Sequence, residues 1–225
     1  MLAAGQRHTP QSNGALEELC RAYWFPLYAY VRRRGHNKED AEDLVQAFFA
    51  RFLAKNHLTG LNAERGRFRA FLLASLKHFL ANEWDKVQAQ KRGGGVAPLS
   101  LDWQTADTKF QVAATNEPSP DKAFDREWAL VLLAKVIERL QQESAADGKA
   151  KLFAELKSFL MAGKNETAQS EVAKALGMEE GAVRVAVHRL RKRYRVLLRD
   201  EIAQTLADES SVDEEMRALF GAFTM

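Results

Sequence analysis

The stretch QSEVAKALGMEEGAVRVAVHRLRKRYRVLLR, residues 169 to 199, decides how the rest of the chain is read. Ser170 is placed as the N-cap of a first helix, its hydroxyl accepting from an orphan backbone N–H. Gly177 tolerates the left-handed turn that ends that helix. Met178, Glu179 and Glu180 form a short link to a second helix. There Val183, Val187, Leu190, Tyr194 and Leu197 recur at steps of four, three, four and three, which puts them on one buried stripe. Turned away from the stripe lie Arg184, His188, Arg191 and Arg195, flanked by Arg189, Lys192, Arg193 and Arg199. Residues 181 to 199 hold seven Lys or Arg and no acid. An apolar inner stripe beneath an outer face of bidentate donors is what a DNA major groove accepts, so this helix-turn-helix points to duplex binding. The alternative is a solvated basic face on a plain helical hairpin.

A second informative stretch is GHNKEDAEDLVQAFFARFL, residues 35 to 53. Gly35 closes a preceding helix, and Asn37 with Asp40 three residues later caps the next one, the carboxylate suiting the positive helix end. Ala41, Leu44, Val45, Phe48 and Phe52 form its buried face, leaving Asp40, Glu42, Asp43 and Gln46 outside. Upstream, Leu16, Leu19, Tyr23, Leu27 and Val31 face inward on a helix that Pro26 bends or breaks. Tyr23, Trp24, Phe25, Tyr28 and the lone Cys20 read as packing residues.

The stretch GRFRAFLLASLKHFLANEWDK, residues 66 to 86, buries Phe68, Phe71, Leu72, Leu76 and Phe79. Arg65, Arg67, Arg69, Lys77 and Lys86 are expected to stay exposed, and Trp84 to pack. Aromatic faces on which bases stack, with cations along a backbone, hold single-stranded nucleic acid without any chemical step.

Gly, Pro, Ser, Thr and Asn then collect in a stretch without helical periodicity, the mark of a linker. The expected organisation is all-α: two small helical domains joined by a flexible linker, the C-terminal one containing the helix-turn-helix. In residues, it is a tail at 1–15, a first domain at 16–87, the linker at 88–122, a second domain at 123–204 and an acidic extension at 205–225. Phe124, Trp128, Val136 and Leu140, and then Leu152, Leu156, Phe159 and Leu160, mark helices expected to support the hairpin.

Across 225 residues the net charge is only +3, but it is unevenly spread. Residues 65 to 92 carry seven Lys or Arg against Glu83 and Asp85, whereas residues 200 to 225 carry seven acids against Arg217. Two cationic patches suit a protein that grips DNA at two places. Met1 to Ser12 lacks an apolar stretch and no run approaches a membrane span, so a cytoplasmic location without membrane insertion is expected. The histidines and Cys20 show no metal-ligand spacing, and no cofactor is expected. No phosphate loop or nucleophile elbow occurs, Gly93-Gly94-Gly95 reading as linker, so the chain is not expected to be an enzyme.

From residue 16 to residue 200 the chain resembles the sigma-70 family of bacterial RNA polymerase specificity factors, in its extracytoplasmic-function (ECF) group. The resemblance rests on order: DAEDLVQAFF, the basic aromatic helix, the linker, then the helix-turn-helix. It implies a transcription initiation factor that recruits core RNA polymerase to promoter DNA. It gives Asp40, Glu42, Asp43 and Gln46 to docking on the clamp coiled coil of the largest subunit, the flap being the other polymerase contact. It gives Asn62, Arg65, Arg67, Lys77, His78, Asn82 and Lys86 to the −10 element, with Asn62, His78 and Asn82 on base edges and the cations on phosphate. His78 reads equally well as a packed residue. It gives Arg184, Val185, His188 and Arg189 to base and phosphate contacts at the −35 element, and Arg191 and Lys192 chiefly to phosphate.

The chain departs from the family pattern in three places. Phe71-Leu72 stands where Trp-Leu is common, His78 and Asn82 stand where Asn and then Asp are common, and Val185 replaces a small polar residue. The linker's Asp102, Asp107 and Glu117 are candidate mimics of nucleic-acid charge. An anti-sigma factor or a kinase is a further partner of the kind such factors have. Two other readings stay open: a helix-turn-helix regulator acting alone on duplex DNA, and a sigma mimic that captures an anti-sigma factor.

Ile202, Leu206, Met216, Leu219, Phe220 and Phe223 predict an amphipathic terminal helix with an acidic start. It is expected either to fold on the basic helix and restrain it, or to cap the second core.

Overall fold

The computed structural model describes residues 10–54, 68–90, 119–160, 166–206 and 209–223. All its described elements are helices, in agreement with the all-α expectation: α1 Pro10–Arg33, α2 Lys38–Ala54, α3 Phe68–Gln90, α4 Pro120–Ala146, α5 Ala150–Leu156, α6 Glu166–Leu176, α7 Glu180–Ala203 and α8 Val212–Gly221. A 3₁₀ turn, Lys157–Leu160, follows α5, and another, Glu209–Ser211, precedes α8.

The chain divides into two compact units, residues 1–131 with 203–225, and residues 132–202. The units therefore do not follow the linear order expected. The first turns of α4 and the C-terminal helix α8 pack with the N-terminal helices. The expected linker is also shorter at both ends, because α3 continues to Gln90 and α4 begins at Pro120. Likewise α1 begins at Pro10, inside the expected tail.

The first unit is built on aromatic packing. Leu19, Tyr23, Leu27 and Val31 of α1 are buried as their spacing predicts. Phe48 touches Phe52 at 5.5 Å and Phe79 at 5.7 Å between ring centroids, joining α2 to α3. Tyr23 meets Phe68 edge-on at 5.3 Å, fixing the first turn of α3 on α1. Pro26 lies within a continuous α1. A mid-helix proline costs about 3 kcal/mol, whereas burying Leu19, Leu27 and Val31 returns about 1.5–3 kcal/mol each. Gly35, at φ +93°, ends α1 as expected, while Cys20 is only half-buried.

The second unit centres on Leu156, Phe159, Ala173, Val183 and Val187, with Leu152, Val172, Met178, Ala186 and Leu190 packed around them. Gly177 takes φ +62°. Its N–H donates to the Lys174 carbonyl at 3.2 Å and the Met178 N–H to the Ala173 carbonyl at 2.9 Å. This is a Schellman closure, which satisfies carbonyls at the end of α6 and turns the chain toward α7. Ser170, expected as the N-cap, lies inside α6. The helix starts a turn earlier, at Glu166.

Two clusters of charge tie α4 to α7 in this unit. Glu201, buried, accepts from Lys135 at 2.9 Å and Arg139 at 3.2 Å, and Glu143 pairs with Arg193 at 2.7 Å. A buried carboxylate is tolerated only when compensated, and Glu201 has two cations to do so.

Candidate polymerase-docking and nucleic-acid surfaces

Along α7 the buried stripe consists of Val183, Val187, Tyr194 and Leu197, with Leu190 half-buried. Arg184, Val185, His188, Arg189, Lys192 and Arg195 are exposed. Val185 is 49% exposed, an apolar side chain available to a thymine methyl group. Two cations are committed inside the protein. Arg191 is half-buried and donates Nε–H to the Phe159 carbonyl at 2.9 Å, anchoring α7 on the turn after α5. Arg193 forks onto Glu143 and holds that carboxyl below its usual range, the hydrogen bond being the main cause. Arg184, Arg189, Lys192 and Arg195 are the exposed cations of this face that remain.

Beside this face lies a cleft of about 640 Å³, its apolar wall formed by Leu152, Phe153, Met178, Val185 and Leu190. Arg189 lines it as well, so both Val185 and Arg189 border the two surfaces.

On α3, Lys77, His78, Asn82 and Trp84 are exposed. With Ala74 and Ala81 they share one broad face, since each helical residue advances by 100°. Trp84, expected to pack, is 65% exposed. An indole left in water is costly for a core and useful on a surface that stacks bases. Lys77 pairs with Asp121 of α4 at 2.5 Å and lies 5.8 Å from the Tyr30 ring centroid. Asn62, Arg65 and Arg67 lie outside the described residues, as does the side chain of Lys86. Asp102, Asp107 and Glu117 of the linker do so too.

On α2, Asn37 and Asp40 cap the start of the helix as expected. The Asp40 N–H donates to Asn37 Oδ1 at 2.8 Å, and Asn37 Nδ2 donates to Asp40 Oδ2 at 2.9 Å. Asp43 is exposed and Gln46 half-buried. Glu42, expected outside, is buried, because it falls in register with Val45, Phe49 and Phe52, all of them buried too. The face that remains is Asp43 and Gln46 with Glu39, which the sequence reading left out. Exposed Ala47 and Ala50 beside them permit close approach.

Arg69, also expected outside, is 8% exposed. Its guanidinium lies 4.5 Å from the Trp128 ring centroid. Nε–H donates to Glu215 Oε1 of α8 at 2.9 Å, and Nη1 pairs with Asp125 of α4. Burial works against the charge on Arg69, and the two carboxylates more than offset it, raising its pKa. The terminal helix therefore belongs to the first unit, not to the second core that it was expected to cap. It completes the first unit, with Val212 and Leu219 buried.

Among the described residues no helix is long and apolar enough to cross a membrane. None of their His, Cys, Asp and Glu side chains form a metal-binding group. No curated protein and no solved structure matches the chain. The family model for sigma-70 region 2 matches residues 19–90, a span that begins on the buried stripe of α1 and ends with α3. Over residues 19–90 the chain is thus similar to sigma-70 region 2.

Proposed function

We propose that the chain is a transcription initiation factor of the sigma-70 family, ECF group, which binds core RNA polymerase and directs it to promoters with paired −10 and −35 elements. The observation that carries this reading is the match to sigma-70 region 2 over residues 19–90, on the same chain as the helix pair α6 and α7 of the other compact unit, whose second helix is basic.

Each surface takes one task. Asp43, Gln46 and Glu39 on α2 meet the polymerase clamp coiled coil, with Asp40 setting the start of that helix. Glu42 supports the surface from inside. The exposed face of α3, with Asn62, Arg65 and Arg67 before it and Lys86 after it, captures unpaired −10 bases. Trp84 and His78 offer ring faces for stacking, and the cations neutralise phosphate. Lys77 exchanges its partner Asp121 for phosphate when DNA arrives.

The −35 element is read by Arg184, Val185, His188 and Arg189, with Lys192 on phosphate. Arg191 holds α7 in place. The apolar cleft beside α7 is assigned to the flap. No reaction is catalysed: binding free energy alone shifts the duplex toward its opened form. The protein acts in the cytoplasm, and an anti-sigma factor or a kinase regulates it.

Core polymerase binding tests the assignment directly. Labelled chain should bind purified bacterial core polymerase, and the double substitution Asp43→Ala, Gln46→Ala should weaken that binding. Tight binding to duplex DNA without any binding to polymerase would identify a regulator that acts alone. Binding to neither would point to a sigma mimic.

A further inference from the structure

Arg69 occupies the first turn of α3, two residues after Arg67 and directly after Phe68, itself held against Tyr23. Two elements converge on it: α4 with Asp125 and Trp128, and α8 with Glu215. Glu215 is 1% exposed, although it lies in the acidic first turn of its helix beside solvent-facing Asp213 and Glu214. A carboxylate buried this fully requires a partner, and Arg69 is that partner, 146 positions away in sequence. Val212 and Leu219, one turn to either side of Glu215, are buried with it, so α8 is seated by one charge between two apolar contacts.

The contact is made at the start of the helix assigned to the −10 element, on the side opposite to solvent. Burial keeps Arg69 and Glu215 away from DNA. They can affect DNA only through the placement of α3, whose exposed surface carries Lys77, His78, Asn82 and Trp84. Asp121 and Asp125, one turn apart on α4, pair with Lys77 and Arg69 on α3, so α4 lies along the same helix.

We propose that Glu215 is a positioning residue for the −10 helix. Through Arg69, the C-terminal helix holds the first turn of α3 in the orientation that captures unpaired promoter bases. The proposal rests on the sigma-factor reading and adds a second role for the C-terminus, in promoter opening.

The test uses the full chain with bacterial core polymerase, on the strongest promoter mapped by transcription from fragmented host DNA. Wild type is compared with Glu215→Gln, with the shorter but still charged Glu215→Asp, and with Phe220→Ser on the exposed side of α8. Core binding and permanganate reactivity of unpaired thymines are measured for each. Glu215→Gln should keep wild-type core binding and lose promoter opening by about tenfold, with a smaller loss in Glu215→Asp and none in Phe220→Ser. Equal opening by Glu215→Gln and wild type would overturn the proposal. Parallel loss of core binding and opening in both Glu215 variants would do so as well, since that pattern marks a residue that only stabilises the fold. If wild type with core polymerase opens no promoter, the sigma reading itself fails and the proposal falls with it.

Discussion

Arg193 forks onto Glu143, its Nε 2.8 Å and its Nη2 2.7 Å from the two carboxylate oxygens, and so takes one cation out of the basic face of α7. The pair is largely exposed, so its contribution to stability is a few tenths of a kcal/mol. Its effect on charge is larger. Glu143→Gln should release Arg193 toward phosphate, raise duplex affinity at low salt and steepen the salt dependence by about one counterion. Titrating binding against salt concentration checks this. Arg193 holds the Glu143 carboxyl below its usual range. The stabilisation from the pair is therefore complete above the ordinary glutamate pKa and disappears as pH falls through the depressed value.

Asp43 and Gln46 stand on α2, and Arg184 and Arg189 on the exposed face of α7. Substituting the first pair with Ala should weaken core polymerase binding and leave duplex binding by the chain unchanged. Arg184→Ala or Arg189→Ala should do the reverse, costing about 1–3 kcal/mol for each lost bidentate base contact. Equal effects of the two sets in both assays would end this division of labour.

Trp84 projects from α3 with two thirds of its surface in solvent. Trp84→Ala should therefore shift unfolding by less than about 0.5 kcal/mol, as exposed substitutions do. Capture of single-stranded −10 DNA by the chain with polymerase should weaken by about 1–3 kcal/mol, the worth of one base stacked on an aromatic ring. Chemical denaturation and fluorescence anisotropy of a labelled strand measure the two effects separately.

Tyr194 is buried in the second unit, and burial pushes its hydroxyl up to about 12. In the unfolded chain the same group ionises near pH 10. Between these values the unfolded state loses its proton first, so stability falls as pH rises through that window. Tyr194→Phe should abolish this component. Denaturation midpoints of the two proteins should match near neutrality, apart from a small constant offset, and diverge above pH 10.

The helices of both units were legible because their apolar residues repeat at helical spacing. The Asn37–Asp40 cap and the Gly177 turn were legible because each is local chemistry. The buried charges Glu42, Glu201, Glu215 and Arg69 were harder to read. Arg69 lies in step with Leu72, Leu76 and Phe79, Glu42 with Val45, Phe49 and Phe52, and Glu215 with Val212 and Leu219. In each case the register of the helix pointed inward while the charge suggested solvent. Register prevailed for Arg69 because Asp125 and Glu215, distant in sequence, supply the compensating charge. Glu201 follows the same rule with Lys135 and Arg139. Trp84 shows the converse, a large aromatic that falls outside the buried register of α3 and so meets water. The seating of α8 in the first unit depends on these long-range pairs, which no local pattern in residues 205 to 225 reveals.

The most direct measurement is to combine the purified chain with bacterial core RNA polymerase and fragmented genomic DNA of its host, then sequence the 5′ ends of the transcripts. The account predicts discrete start sites that share two upstream motifs, lost when Asp43 and Gln46 are replaced. The absence of chain-dependent starts, together with duplex binding by the chain alone, would contradict it.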